Sequence, residues 1–127
     1  LFTLEADFVP DREKQLRGLR LILETPAIGR LFALRVDGRI AGMANALITV
    51  STAQGTRVLL LEDVIVSAAH RGGGLGRRLV DHVCAWAKSQ GMTRVTLLAD
   101  KDNAPALDFY ERLGFGPSAM RVLRKPL

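Results

Sequence analysis

The sequence contains one cysteine, one tryptophan, one tyrosine and two histidines, and aromatic residues make up only 6% of its 127 positions. A lone cysteine, Cys84, excludes an internal disulfide; it falls in a helical pattern that would bury it as a small core residue rather than present it as a nucleophile. No stretch approaches the roughly 18 apolar residues of a membrane span, and no charged start leads into an apolar core. The expectation is a cytoplasmic protein with no membrane partner. His70 and His82 stand at no metal-ligand spacing with each other or with Cys84, so no metal is expected. Arginines and lysines are scattered from Arg12 to Lys125 with acids between them, and no basic stripe alternates with stacking rings, which argues against nucleic acid. Internal repeats, linkers and low-complexity segments are lacking too.

What is present suits one globular unit: 48% hydrophobic and 24% charged residues over residues 1–127, read as a single domain. Because the first residue is Leu1, the natural start is expected upstream. The net charge of +5 favours an anionic partner, a polyphosphate being one such.

Residues 2–8 read as the tail of a helix, ended by Pro10. Asp11 is placed to cap a second helix from Arg12 to Glu24, in which Leu16, Leu19 and Leu23 recur near the 3.6 period and which Thr25-Pro26 closes. Strands over residues 31–36 and 40–50 flank Asp37-Gly38, a pair suited to the positive backbone angles of a tight hairpin. A polar turn leads to a long apolar strand, residues 57–66, interrupted by Glu62 and Asp63. Residues 74–90 read as an amphipathic helix ended by Gly91, residues 93–99 as a buried strand, and Asp102 or Asn103 as the cap of a short helix to about Leu113. A last strand is expected around Met120 to Arg124. Its exposed edge would allow a homodimer.

Between the apolar strand and the amphipathic helix lies Arg71-Gly72-Gly73-Gly74-Leu75-Gly76. Amides of a helix's first turn lack partners within the helix and carry the positive end of its dipole, which suits a phosphate. The glycines let backbone approach the anion, and Arg71, Arg77 and Arg78 add charge. A Walker A loop would need Gly-Lys followed by Ser or Thr, whereas Gly76 is followed by Arg77 and Arg78. A dinucleotide fingerprint would need Gly or Ala where Arg77 stands, and it would open a long alternating fold rather than follow a helix pair and a hairpin.

Arg71, Gly74 and Gly76 fill the pattern of Arg or Gln, two residues, Gly, one residue, then Gly or Ala. In this the chain resembles the GNAT family of N-acetyltransferases. The downstream segment NAPALDFYERLGF is similar to that family's second signature, with Asn103, Ala106, Phe109, Tyr110, Gly114 and Phe115 in place. The resemblance covers nearly the whole chain. It implies an α/β (α+β) fold with a mixed central sheet, an antiparallel N-terminal hairpin, splayed central strands and flanking helices; the family's first strand would lie before Leu1. It also implies acetyl-CoA as acyl donor, with backbone near Val64, Ile65 and Val66 binding pantetheine, Arg71 through Arg77 cradling the pyrophosphate, Asn103 and Tyr110 adjoining the donor, and Tyr110 protonating the departing sulfur. Glu5, Asp7 and Phe8 would border the acceptor site. The strand around Glu62-Asp63 further resembles that of glucosamine-6-phosphate N-acetyltransferases over a short stretch.

Acetyl transfer to an amine needs a neutral amine, a polarised carbonyl and a stabilised thiolate. Glu62 is the candidate base, directly or through water, because a carboxylate in an apolar strand tends to hold its proton more tightly. In a regular strand Asp63 would face the other way, and a bulge would reverse the choice. The implied activity is direct transfer from acetyl-CoA to a primary amine of a small molecule or peptide. A coenzyme A-binding sensor without turnover is the alternative.

Overall fold

The computed structural model of the protein describes residues 11–127; the helical stretch expected near the start, with Glu5, Asp7 and Phe8, lies outside them. Helix α1 (Arg12–Glu24) begins where the sequence predicts, because the Asp11 carboxylate accepts from the Lys14 amide at 3.1 Å and so satisfies a first-turn donor. Its buried contact with the sheet is Ile22. A side chain at Gly29 would put its Cβ 3.4 Å from Ile22 and 2.7 Å from the Ala46 carbonyl oxygen, so the absence of one lets the helix seat there.

The sheet runs in the order β1 (Gly29–Val36), β2 (Arg39–Ser51), β3 (Thr56–Val66), β4 (Val95–Leu97), with the first two pairings antiparallel and the last parallel. Asp37 and Gly38 have φ of 51° and 77°, the two positive angles that match a two-residue turn to the twist of β1 and β2. Helix α2 (Leu75–Ser89) packs Leu79, Val80, Val83 and Ala87 against Ala44 and Ala46 of β2 and Leu59, Leu61 and Val64 of β3. Since strand residues alternate between faces, Asn45 and Leu47 lie on the opposite face, toward α1. The connectivity is the mixed α/β arrangement implied by the sequence.

Helix α3 (Ala104–Arg112) is capped by Asn103, not Asp102: the Asn103 side chain accepts from the Ala106 amide at 3.2 Å. Asn103→Ala is expected to lower stability by about 1 kcal/mol, measured by denaturant unfolding.

Two expected strands differ. The one over residues 93–99 shrinks to Val95–Leu97, because the chain leaves β3 beyond the Leu61–Leu97 pair. Around Met120 to Arg124 no strand forms: Met120 and Leu123 remain 88% and 92% exposed, and the segment joins no ladder. A strand exists only through its hydrogen-bonded neighbour, and apolar residues alone do not supply one. The C-terminal edge expected to pair with a second copy is therefore absent from the described residues.

Candidate functional site

Strands β3 and β4 pair only from Leu59–Val95 to Leu61–Leu97, after which β3 continues for five residues to Val66 without that neighbour. The divergence opens a cavity of about 1040 Å³. Its walls come from β3 at Glu62, Asp63, Val64 and Ile65, from the chain after β4 at Leu98 to Asp100, from Asn103 and Tyr110, and from α1 at Leu19 and Ile22.

The same stretch of β3 carries a bulge. Met43 pairs with Ile65 but Asn45 pairs with Glu62, so Ala44 alone stands opposite both Asp63 and Val64, and Asp63 takes a positive φ of 50°. Simple alternation would send Glu62 and Asp63 to opposite faces; the extra residue instead brings both to the cavity wall. That corrects the expectation that only one of them could face it. Asp63 is held there by Asn45, whose Nδ2 donates to Asp63 Oδ2 at 3.3 Å. Asn45 is only 6% exposed, and its Oδ1 is buried with no hydrogen-bond partner among the described residues. An orphaned acceptor of this kind costs about 1 to 3 kcal/mol. Sequence reasoning missed Asn45. The available signal was one amide side chain within the otherwise apolar centre of β2, AGMANALI.

Beyond the bulge, Ser67 donates its amide to Ala41 O at 2.7 Å, which marks that pair as close and hydrogen-bonded. Counting back along the ladder, the backbone of Ile65 turns toward β2, whereas Val64 and Val66 turn toward the gap left by β4. Of the three positions singled out in the sequence, Val64 and Ile65 line the cavity, and Val64 and Val66 turn their main chain away from β2 along the unpaired edge. The Val66 carbonyl already accepts from Arg71 Nε at 3.1 Å. This bond ties the end of β3 to the glycine turn.

In the turn, Gly72 and Gly74 have φ of 85° and 76°, and a Cβ on either would meet nothing within 4 Å. Gly74 is the N-cap of α2 and brings no side-chain cap, so the amides of Leu75, Gly76 and Arg77 are left to an external acceptor. Gly73 is exposed beside them, Gly76 is buried against the sheet side of α2, and Arg77 pairs on the surface with Asp81 at 3.6 Å. An open concavity of amides at a helix N-terminus, flanked by arginines, fits a pyrophosphate.

Tyr110 closes the cavity from α3 and is 6% exposed, edge-on to Phe109 at 5.1 Å and to Phe115 at 5.6 Å between ring centres. Burial pushes its phenol well above the ordinary range. It therefore keeps its proton throughout the neutral range, as a proton donor must. Cys84 is not among the residues of the cavity wall, and burial, then Asp81, raises its thiol above the ordinary range. Among the described residues no helix is long and apolar enough to cross a membrane, and no cluster of His, Cys, Asp and Glu is arranged to hold a metal ion.

The chain is 35% identical over 89 residues to glucosamine 6-phosphate N-acetyltransferase of Trypanosoma brucei brucei, covering 69% of this chain and 58% of that protein. It is 37% identical over 83 residues to streptothricin acetyltransferase of Streptomyces lavendulae, covering 65% and 42%. The chain thus spans about half the length of these curated relatives. The crystal structure of glucosamine-6-phosphate N-acetyltransferase from Arabidopsis thaliana shares the fold, with a TM-score of 0.72 at 22% identity over 95% of this chain and 82% of that one. Residues 2–115 match the model of the acetyltransferase (GNAT) family, and with the splayed strands and glycine turn in place the chain belongs to that family.

Proposed function

We propose that the protein transfers acetyl from acetyl-CoA directly to a primary amine of a small molecule or peptide. The observation that carries this reading is the continuity of the unpaired β3 edge. It runs from the Glu62-Asp63 carboxylates and Tyr110, past the outward main chain of Val64 and Val66, to the glycine turn that Arg71 ties to it. One strand edge thus leads from groups suited to acid-base work to groups suited to a pyrophosphate.

In this reading the amides of Leu75, Gly76 and Arg77, with the backbone of Gly72, Gly73 and Gly74 and the Arg71 side chain, bind the pyrophosphate. Val64 and Val66 pair with pantetheine as a missing strand would, and their amides polarise the thioester carbonyl. Ile65 and Asn103 line the donor's path. The carboxylate pair, with Glu62 as its first member, supplies the base, and Tyr110 supplies the proton to sulfur. As an acyl donor acetyl-CoA is a substrate, and no metal has a role.

Calorimetric titration with acetyl-CoA, followed by thiol release across a panel of amines and peptides, tests the proposal. Saturable binding with amine-dependent thiol release is expected. Binding without release in any acceptor would favour a coenzyme A sensor, and no binding would overturn the reading.

A further inference from the structure

His70 stands immediately before the glycine turn. Its Nδ1 lies 2.7 Å from Ser67 Oγ, both residues are half-buried, and its amide donates to Ser67 O at 3.0 Å across the short 3-10 helix Ala68–His70. That helix is pinned at both ends. The Ser67 amide bonds to β2 at Ala41 O, and Arg71 Nε bonds to the end of β3 at Val66 O. A Cβ added to Gly73 would lie 4.0 Å from His70 O, so the main chain of the histidine abuts the turn itself.

Histidine is the side chain whose charge ordinarily changes between pH 5 and 8. A serine hydroxyl both donates and accepts. With the ring neutral, Nδ1 can accept from Ser67; with the ring charged, Nδ1–H donates to it. The bond reverses direction and survives, so Ser67 holds the ring in either state. The charged groups on the elements around the turn are Arg71 beside it, Arg77, Arg78 and Asp81 on α2, Arg39 on β2, and Glu62 and Asp63 on β3. Asp81 is paired with Arg77, and no ion pair between described residues reaches His70. Positive charge at His70 therefore adds to the field of the arginines at the turn. We infer that His70, held by Ser67, is a further binding residue of the donor site and makes it pH-sensitive: the protonated ring attracts the pyrophosphate, so the donor binds more tightly as pH falls and a proton is taken up as it binds. This inference rests on the reading of the glycine turn as the pyrophosphate site, and it adds a residue whose charge is set by solution conditions.

The full chain is titrated calorimetrically with 3′-dephospho-coenzyme A at about pH 8 and about pH 5.5, a span over which histidine changes charge and the pyrophosphate diester of the probe does not. Affinity about threefold or more higher at the lower pH is expected, the size of a charge interaction screened by solvent. Net proton uptake, read from the dependence of the binding heat on buffer ionisation enthalpy, should accompany it. His70→Gln should bind with one affinity at both pH values and take up no proton. Ser67→Ala, which removes the acceptor for Nδ1–H, should show a smaller pH effect than the parent. His82→Gln, altering the histidine that stands edge-on to Phe32 of β1, should keep the parent's pH effect. Thermal unfolding at both pH values checks that each variant is folded. Equal affinity of the parent at both pH values, a pH effect retained in His70→Gln, or failure of the probe to bind would overturn the inference. Acetyl-CoA binding is read separately: its loss in the unaltered chain sinks the pyrophosphate reading, whereas its persistence beside any of those three results sinks only the role of His70.

Discussion

Tyr110→Phe is expected to lower turnover by about a hundredfold or more while leaving acetyl-CoA affinity within a few fold of the parent, the range typical for loss of a positioned general acid. The reasoning starts from burial. The ring is held edge-on between Phe109 and Phe115 and is 6% exposed, so phenylalanine keeps nearly all of the packing and removes only the hydroxyl. Stopped turnover with intact binding separates a proton donor from a binding contact; full turnover in Tyr110→Phe would remove the acid role. The sole tyrosine also reports on itself by absorbance. Because its folded pKa lies above the unfolded value of about 10, the folded state holds the proton more tightly, and the associated stability is complete below that pH and declines above it. Tyrosinate absorbance should therefore stay absent past pH 10 and appear together with alkaline unfolding. A titration near pH 10 in the folded protein would show that the ring is not shielded.

The parts of this architecture that rest on local chemistry could be read in the chain itself. Asp11 and Asn103 are caps, Asp37-Gly38 is a turn and the 3.6-residue stripe of α2 is a buried face, each decided within a few residues of sequence. The glycine turn belongs with them, since it needs only positive φ and a helix start. Features that depend on a distant partner could not be read in this way. The bulge at Asp63 is a mismatch between β3 and β2, visible only once Met43–Ile65 and Asn45–Glu62 are paired. It changes which carboxylates share a wall. The strand expected near Met120 has apolar residues in sequence but no ladder in space, and β4 is cut short where its separation from β3 creates the cavity. Nothing local to the sequence singles out Asn45; its depth and its contact with Asp63 exist only once β2 and β3 are paired.

Gly74→Asp is expected to weaken acetyl-CoA binding by about a hundredfold or more while the chain stays folded, because the two effects of the new carboxylate have opposite signs. At the N-cap of α2 an Asp is among the preferred residues and interacts favourably with the helix dipole. Its Cβ would project into open space, and Asp tolerates the φ of 76° better than most side chains. The left-handed backbone strains any side chain by about 1 to 2 kcal/mol, Asp least among the non-glycine residues, so stability should fall by no more than that. For the ligand the outcome is adverse: the carboxylate competes for the amides of Leu75, Gly76 and Arg77 and sets a like charge against the pyrophosphate, a juxtaposition that costs several kcal/mol. Gly74→Ala separates charge from strain, since it adds the Cβ without the carboxylate and should bind acetyl-CoA more tightly than Gly74→Asp. Calorimetric affinity beside thermal unfolding decides the matter. If Gly74→Asp bound acetyl-CoA as the parent does, the pyrophosphate would have to lie elsewhere, and the continuity between the unpaired β3 edge and the glycine turn would lose its functional meaning.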